Sequence, residues 1–341
     1  MANKQYISII RLFDHCGIST GEDFNLARVK KQLQAEFSIA QGGFIEVDGH
    51  SYTRHDVFEE IERPDFSNRL VFHKQIWNSK QILQLLENNV ISLPTIGAEF
   101  KPFWSNPAFD EFFSPYFAGP FNYLSRTFLT EYRLESMGSL LAYEDFLQAG
   151  EREEAFRPIR IYLEENMRLL RNVNKENYAI MRPKIAQWIE KDWHLFFNNL
   201  PHEFYETKND IITLLINIGV AVQKTHRKDC AKVSEQLISL HETPESLRKI
   251  IVSNHAVYTG SSGDGGSISW RNIFWIGWVV FMLFRAFGSD GCDSSNSNNY
   301  RYIPPVQYDN KYKITDSAIL RLFDSIRISR DSSSARILPS K

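Results

Sequence analysis

Nine histidines and three cysteines can build a metal site only if they cluster, and their spacing gives little sign that they do. His226 and Cys230 are four residues apart and share one face of a helix, but a structural zinc needs two further ligands that the neighbouring residues do not offer. His50 and His55 flank an extended stretch at an odd spacing, which turns them to opposite sides of a regular strand. Neither pair predicts a metal, and no cofactor is expected. For nucleophilic catalysis there is no Gly-x-Ser-x-Gly turn, and Cys16, Cys230 and Cys292 stand in no pattern that would lower a thiol pKa. The glycine-rich run from Ser261 to Ser267 has no Lys-Ser or Lys-Thr after it and no obvious strand before it, so it does not read as a phosphate-binding loop. Carboxylates gather at Glu144, Asp145, Glu151, Glu153 and Glu154, the pattern of a solvated surface, and no catalytic residue is assigned.

Charge is uneven along the chain. The net charge is -2, yet residues 1–270 carry 29 Lys and Arg against 35 Asp and Glu, while residues 288–341 carry 8 against 6. An acidic body with only two small basic groups, Arg28/Lys30/Lys31 and His226/Arg227/Lys228, gives no reason to expect nucleic acid as a partner. Three dispersed cysteines form no disulfide framework, which fits a reducing compartment. Residues Met1 to Ile10 lack the apolar core of a signal peptide, so the body is expected in the cytoplasm.

The elements follow from periodicity and punctuation. Asn25 caps a helix whose apolar face holds Leu26, Val29, Leu33, Phe37 and Ala40, ending at Gly42-Gly43. Phe44 to Arg54 reads as a hairpin turning at Asp48-Gly49, followed by a short helix over Asp56–Glu62. A further helix starts near Asn78 or Ser79, with Ile82, Leu83, Leu85 and Leu86 as its apolar residues. Residues 94–128 hold five of the thirteen prolines and eight of the twenty-five phenylalanines, which predicts irregular chain whose rings plug gaps between helices. If those rings are exposed, Phe103, Trp104, Phe109 and Phe113 are the candidate interaction residues. Helical patterns then continue to 258, including one helix opened by Pro183 and a core helix over Ile211–Val222.

Ile273 to Phe284 is a run of twelve apolar residues, and Ile268 to Phe287 gives twenty, or about 30 Å of helix. Trp270, Arg271 and Arg285 stand near its ends, where a membrane interface accommodates them. Polar Gly/Ser-rich segments lie on both sides. The chain therefore reads as mainly α: an irregular multi-helix domain over 1–258 with a small N-terminal β-hairpin, a linker over 259–267, one transmembrane helix over 268–287 and a polar tail over 288–341. An amphipathic helix is expected at 316–328 within that tail. The functional expectation is a membrane-anchored, non-enzymatic interaction or scaffold protein, single-pass, whose partners are the bilayer and another protein. Two alternatives stand beside it. One is a soluble enzyme or ligand-binding protein with an apolar pocket and 273–284 as a buried core helix; the other is a membrane-disrupting effector.

Overall fold

Asn25 does start a helix: its side chain accepts a hydrogen bond from the Arg28 amide at 3.1 Å, satisfying one of the free donors of the first turn. This is seen in a computed structural model that describes residues 5–260, apart from 22 and 41. The chain is mainly helical, with a small two-strand antiparallel hairpin near its N-terminus. A first core is built by α1 (Ile9–His15), α2 (Leu26–Ile39), strands β1 (Phe44–Val47) and β2 (His50–Thr53), α3 (Arg54–Ile61) and the start of α4 (Phe66–Asn78). In the hairpin Val47 pairs with His50, and Asp48 and Gly49 take φ of 50° and 78°, the left-handed pair that a two-residue turn demands. Helix α1 was not legible in the sequence, where Ile7–Ile10 is only a short apolar run; its Ile9, Ile10, Leu12 and Phe13 are all buried.

A second and larger core begins with α5 (Lys80–Asn88) and α6 (Leu93–Phe100), and its centre is α7 (Pro107–Thr130). This last helix corrects the expectation of irregular chain across 94–128. Pro107 sits in the first turn, where a missing N–H costs nothing, and Asn106 caps the Phe109 amide. Pro115 and Pro120 lie in the interior, where each removes one backbone bond at a cost of about 3 kcal/mol. The helix persists because its face buries seven aromatic side chains, Phe109, Phe112, Phe113, Tyr116, Phe117, Phe121 and Phe128, each worth about 1.5–3 kcal/mol on burial.

Helices α8 (Leu134–Leu141), α9 (Ala149–Ala155) and α10 (Arg157–Arg171) wrap α7, and α11 (Tyr178–Met181) follows. The helix expected after Pro183 is broken at Lys191-Asp192 into α12 (Ala186–Glu190) and α13 (Trp193–Asn198), although its five apolar residues are buried as their spacing requires. Helix α14 (Tyr205–Val222) is the core helix the sequence suggested. Helices α15 (Arg227–Ile238) and α16 (Glu245–Thr259) complete the body. The end of α16 is fixed by Arg227, whose Nε donates to the Tyr258 carbonyl at 2.6 Å and whose Nη2 donates to that of Val257 at 2.8 Å, and Gly260 then turns the chain at φ 76°. Among the described residues no helix is long and apolar enough to cross a membrane. Residues 261–267 of the linker, the span expected over 268–287 and the tail lie outside the described residues.

Candidate functional site

Helix α4 is the element that carries the site. Phe66, Arg69, Leu70, His73 and Ile76 are all buried, at the spacing of one helix face, so two polar side chains occupy places where an amphipathic helix normally puts apolar ones. That face lies where the two cores meet: Phe66 and Leu70 belong to the first, Ile76 to the second. Around it converge Glu60 from α3, Tyr116 from α7 and Tyr6 from the segment before α1.

Glu60 is 3% exposed and its carboxylate is fully engaged. Oε1 accepts from Arg69 Nε at 2.6 Å and from His73 Nε2 at 3.1 Å. Oε2 accepts from Arg69 Nη2 and from the Tyr116 hydroxyl, each at 3.0 Å. Four donors fill about four lone-pair sites, so a buried charge that would otherwise be prohibitive is tolerated. His73 Nε2 must carry its proton to donate to the carboxylate, which leaves Nδ1 to accept from the Tyr6 hydroxyl at 3.1 Å. The tautomer is thus set by both neighbours.

Burial alone would raise the Glu60 carboxyl, but hydrogen bonds from His73 and Arg69, and the Arg69 charge, outweigh it and hold the group well below the usual carboxylate range. Arg69 alone supplies two of those bonds, so the direction does not require a charged His73. Burial lowers the His73 pKa, and the nearby Glu60 offsets this only in part, so the imidazole is neutral near neutral pH. Burial likewise pushes the Tyr116 phenol up, as does the Glu60 charge.

Beside this cluster opens a cleft of about 310 Å³. Arg69 and Tyr116 reach it from the buried side; Phe72, Phe112 and Pro115 form an apolar wall; Arg63, Asp65, Asn68 and Glu111 lie around them closer to solvent. The Phe72 and Phe112 rings are 5.4 Å apart, and the Arg69 guanidinium lies 4.6 Å over Phe112, held by the ring face. A second cavity, beneath α16, has a volume of about 30 Å³, room for a water or two and no more. Ser234 lies on it and approaches His255 Nδ1 at 2.9 Å, but its hydroxyl also donates to the Ala231 carbonyl and is sealed from solvent, so this pair is not an accessible nucleophile.

The residues singled out by sequence fall elsewhere. Phe103, Phe109 and Phe113 are off the surface, stacked in the second core with centroids 4.0 Å apart for the first pair and 5.0 Å for the second. Only Trp104 of that set is exposed, at 55%. Trp270, Arg271 and Arg285 lie outside the described residues. His226 packs against the Tyr178 ring while the Cys230 thiol donates to the Gly219 carbonyl; His50 faces Glu87 at 3.6 Å and His55 is at the surface. No cluster suited to a metal ion occurs among the described residues. None of Tyr6, Glu60, Arg69, His73 or Tyr116 was foreseen, and the legible signal was the i, i+3, i+4, i+7 register of Phe66 to Ile76, with Arg69 and His73 counted as inward-facing. Protein-family models, curated proteins and solved structures contain no match to this chain.

Proposed function

We propose that the chain is a non-enzymatic binding protein whose helical body is held at a bilayer by Ile268–Phe287. The observation that supports binding over turnover is the state of Glu60. A general base needs a free lone pair and a pKa near the working pH. Glu60 has four donors on its two oxygens and stays ionised, and His73 is neutral with each ring nitrogen engaged, so the cluster is a fixed charged floor to the cleft. Such a floor orients a ligand without exchanging protons with it.

The wall that α7 contributes to the cleft favours a second reading, a soluble ligand-binding protein or enzyme. The two separate cleanly in a fractionation experiment. Wild type is expected to leave the membrane fraction only with detergent and not with carbonate. Val279→Arg, near the middle of the apolar run, is expected to release it, since an arginine there costs about 2.5–3.5 kcal/mol of insertion free energy. Wild type recovered in the aqueous fraction without detergent defeats the anchored reading.

A further inference from the structure

Two arginines at the cleft have donors that none of the described residues uses. Arg69 is 8% exposed; its Nε and Nη2 serve Glu60 and Tyr116, while its Nη1 donates to no acceptor among the described residues, although the side chain lines an open cleft. Arg63 reaches the same carboxylate oxygen, with Nε 3.6 Å from Glu60 Oε2, and its other acidic neighbour, Glu59, lies 3.9 Å from Nη2. Both contacts are too long for hydrogen bonds, and Arg63 Nε is enclosed without an acceptor among the described residues. Two guanidinium groups therefore flank one carboxylate that Arg69, His73 and Tyr116 already saturate. Arg63 Nε is covered by the protein, so a ligand's anionic group meets the two arginines at their terminal nitrogens, on the partly exposed end of Arg63 and at Nη1 of Arg69.

The remaining lining narrows the class. Phe72, Phe112 and Pro115 offer a flat apolar surface next to the arginines, suited to a ring or a branched hydrocarbon body. Asp65 and Glu111 stand at the same cleft and oppose any ligand carrying more than one negative charge. We propose that the cleft between α4 and α7 binds a small monocarboxylate with an aromatic or branched apolar body, its carboxylate between Arg63 and Arg69 and its body against Phe72 and Phe112. The assignment rests on the reading of the body as a binding module. It does not depend on the anchor, so its test is independent of the fractionation above.

The test is titration calorimetry on the full-length protein in detergent, with hydrocinnamate as the probe, hydrocinnamyl alcohol as its uncharged analogue and phenyl phosphate as the more highly charged comparison. Hydrocinnamate is expected to bind at least tenfold more tightly than either. Arg63→Gln removes the partly exposed guanidinium and leaves the buried Glu60–Arg69 pair intact; it is expected to weaken hydrocinnamate at least tenfold while barely changing the alcohol. Glu111→Gln is expected to narrow the gap between hydrocinnamate and phenyl phosphate. Binding of the alcohol equal to that of the carboxylate, an Arg63→Gln variant with unchanged affinity for hydrocinnamate, or no heat with any of the three probes overturns the proposal. A circular dichroism spectrum matching wild type verifies that each variant is folded.

Discussion

The Glu60 cluster makes the stability of this protein a function of pH, and the sign follows from the direction of its two shifts. His73 has a folded pKa below its usual 6.5, so as pH falls through 6.5 the unfolded chain takes up a proton that the folded chain refuses. Glu60 behaves alike below its usual 4.5, where the unfolded carboxyl protonates first. Both contributions are complete above about pH 6.5 and are lost on acidification, His73 first. One refused proton is worth about 1.4 kcal/mol per pH unit. Urea midpoints measured from pH 7.5 to 5 should therefore fall, and His73→Gln, which keeps an N–H toward Glu60 but cannot titrate, should flatten the part of the slope just below 6.5. An unchanged slope would mean that the imidazole titrates normally in the fold. These residues escaped the sequence reading for a physical reason. Arg69 and His73 look like the wet face of a helix until their partners, 9 to 67 positions away, are brought to them.

Among the elements, α2, the hairpin and α14 were legible because a cap, a turn or a long apolar run states the structure locally. Helix α7 was not, since its prolines argue against a helix locally while the burial that overrides them is tertiary. The same distinction separates two glycines. Gly138 on α8 has ordinary backbone angles, yet a Cβ there would lie 2.8 Å from the Leu195 carbonyl oxygen, so α8 and α13 pack at backbone contact. Gly219 on α14 would bring a Cβ within 3.0 Å of the Tyr258 hydroxyl, the end of a side chain that has no hydrogen-bond partner to lose among the described residues. Gly138→Ala must push one helix off another and is expected to destabilise by about 1–3 kcal/mol. Gly219→Ala needs only the Tyr258 ring to tilt and should cost distinctly less. Chemical denaturation of the two variants decides this, and an equal or reversed order would place the tight approach at α14 and α16.

For the whole molecule, the sequence suggested one body over 1–258, and the structure resolves how that body is joined. Two hydrophobic cores share α4, and two bidentate arginine–glutamate pairs cross between their elements: Glu60 with Arg69, and Arg11 of α1 with Glu87 of α5 at 2.6 and 2.8 Å. The chain then leaves the body at Gly260, beyond a helix end that Arg227 holds in place. Under the anchored reading, this fixes where the body hangs from the linker, and the question becomes which side of the membrane it occupies. Among the described residues Cys16 is a free, partly exposed thiol. Native cysteines nevertheless report poorly on the body's side. Cys230 is buried, and burial pushes the thiols of both Cys16 and Cys230 up to about 11, leaving little of the reactive thiolate near neutral pH. Ser67 is exposed on α4 and offers a better reporter. With the body inside and the tail outside, a membrane-impermeant maleimide applied to intact cells should modify Cys292 and leave a Ser67→Cys variant unmodified until the membrane is permeabilised. Modification of the position-67 thiol in intact cells, with Cys292 protected, would invert the orientation while leaving the anchor itself in place.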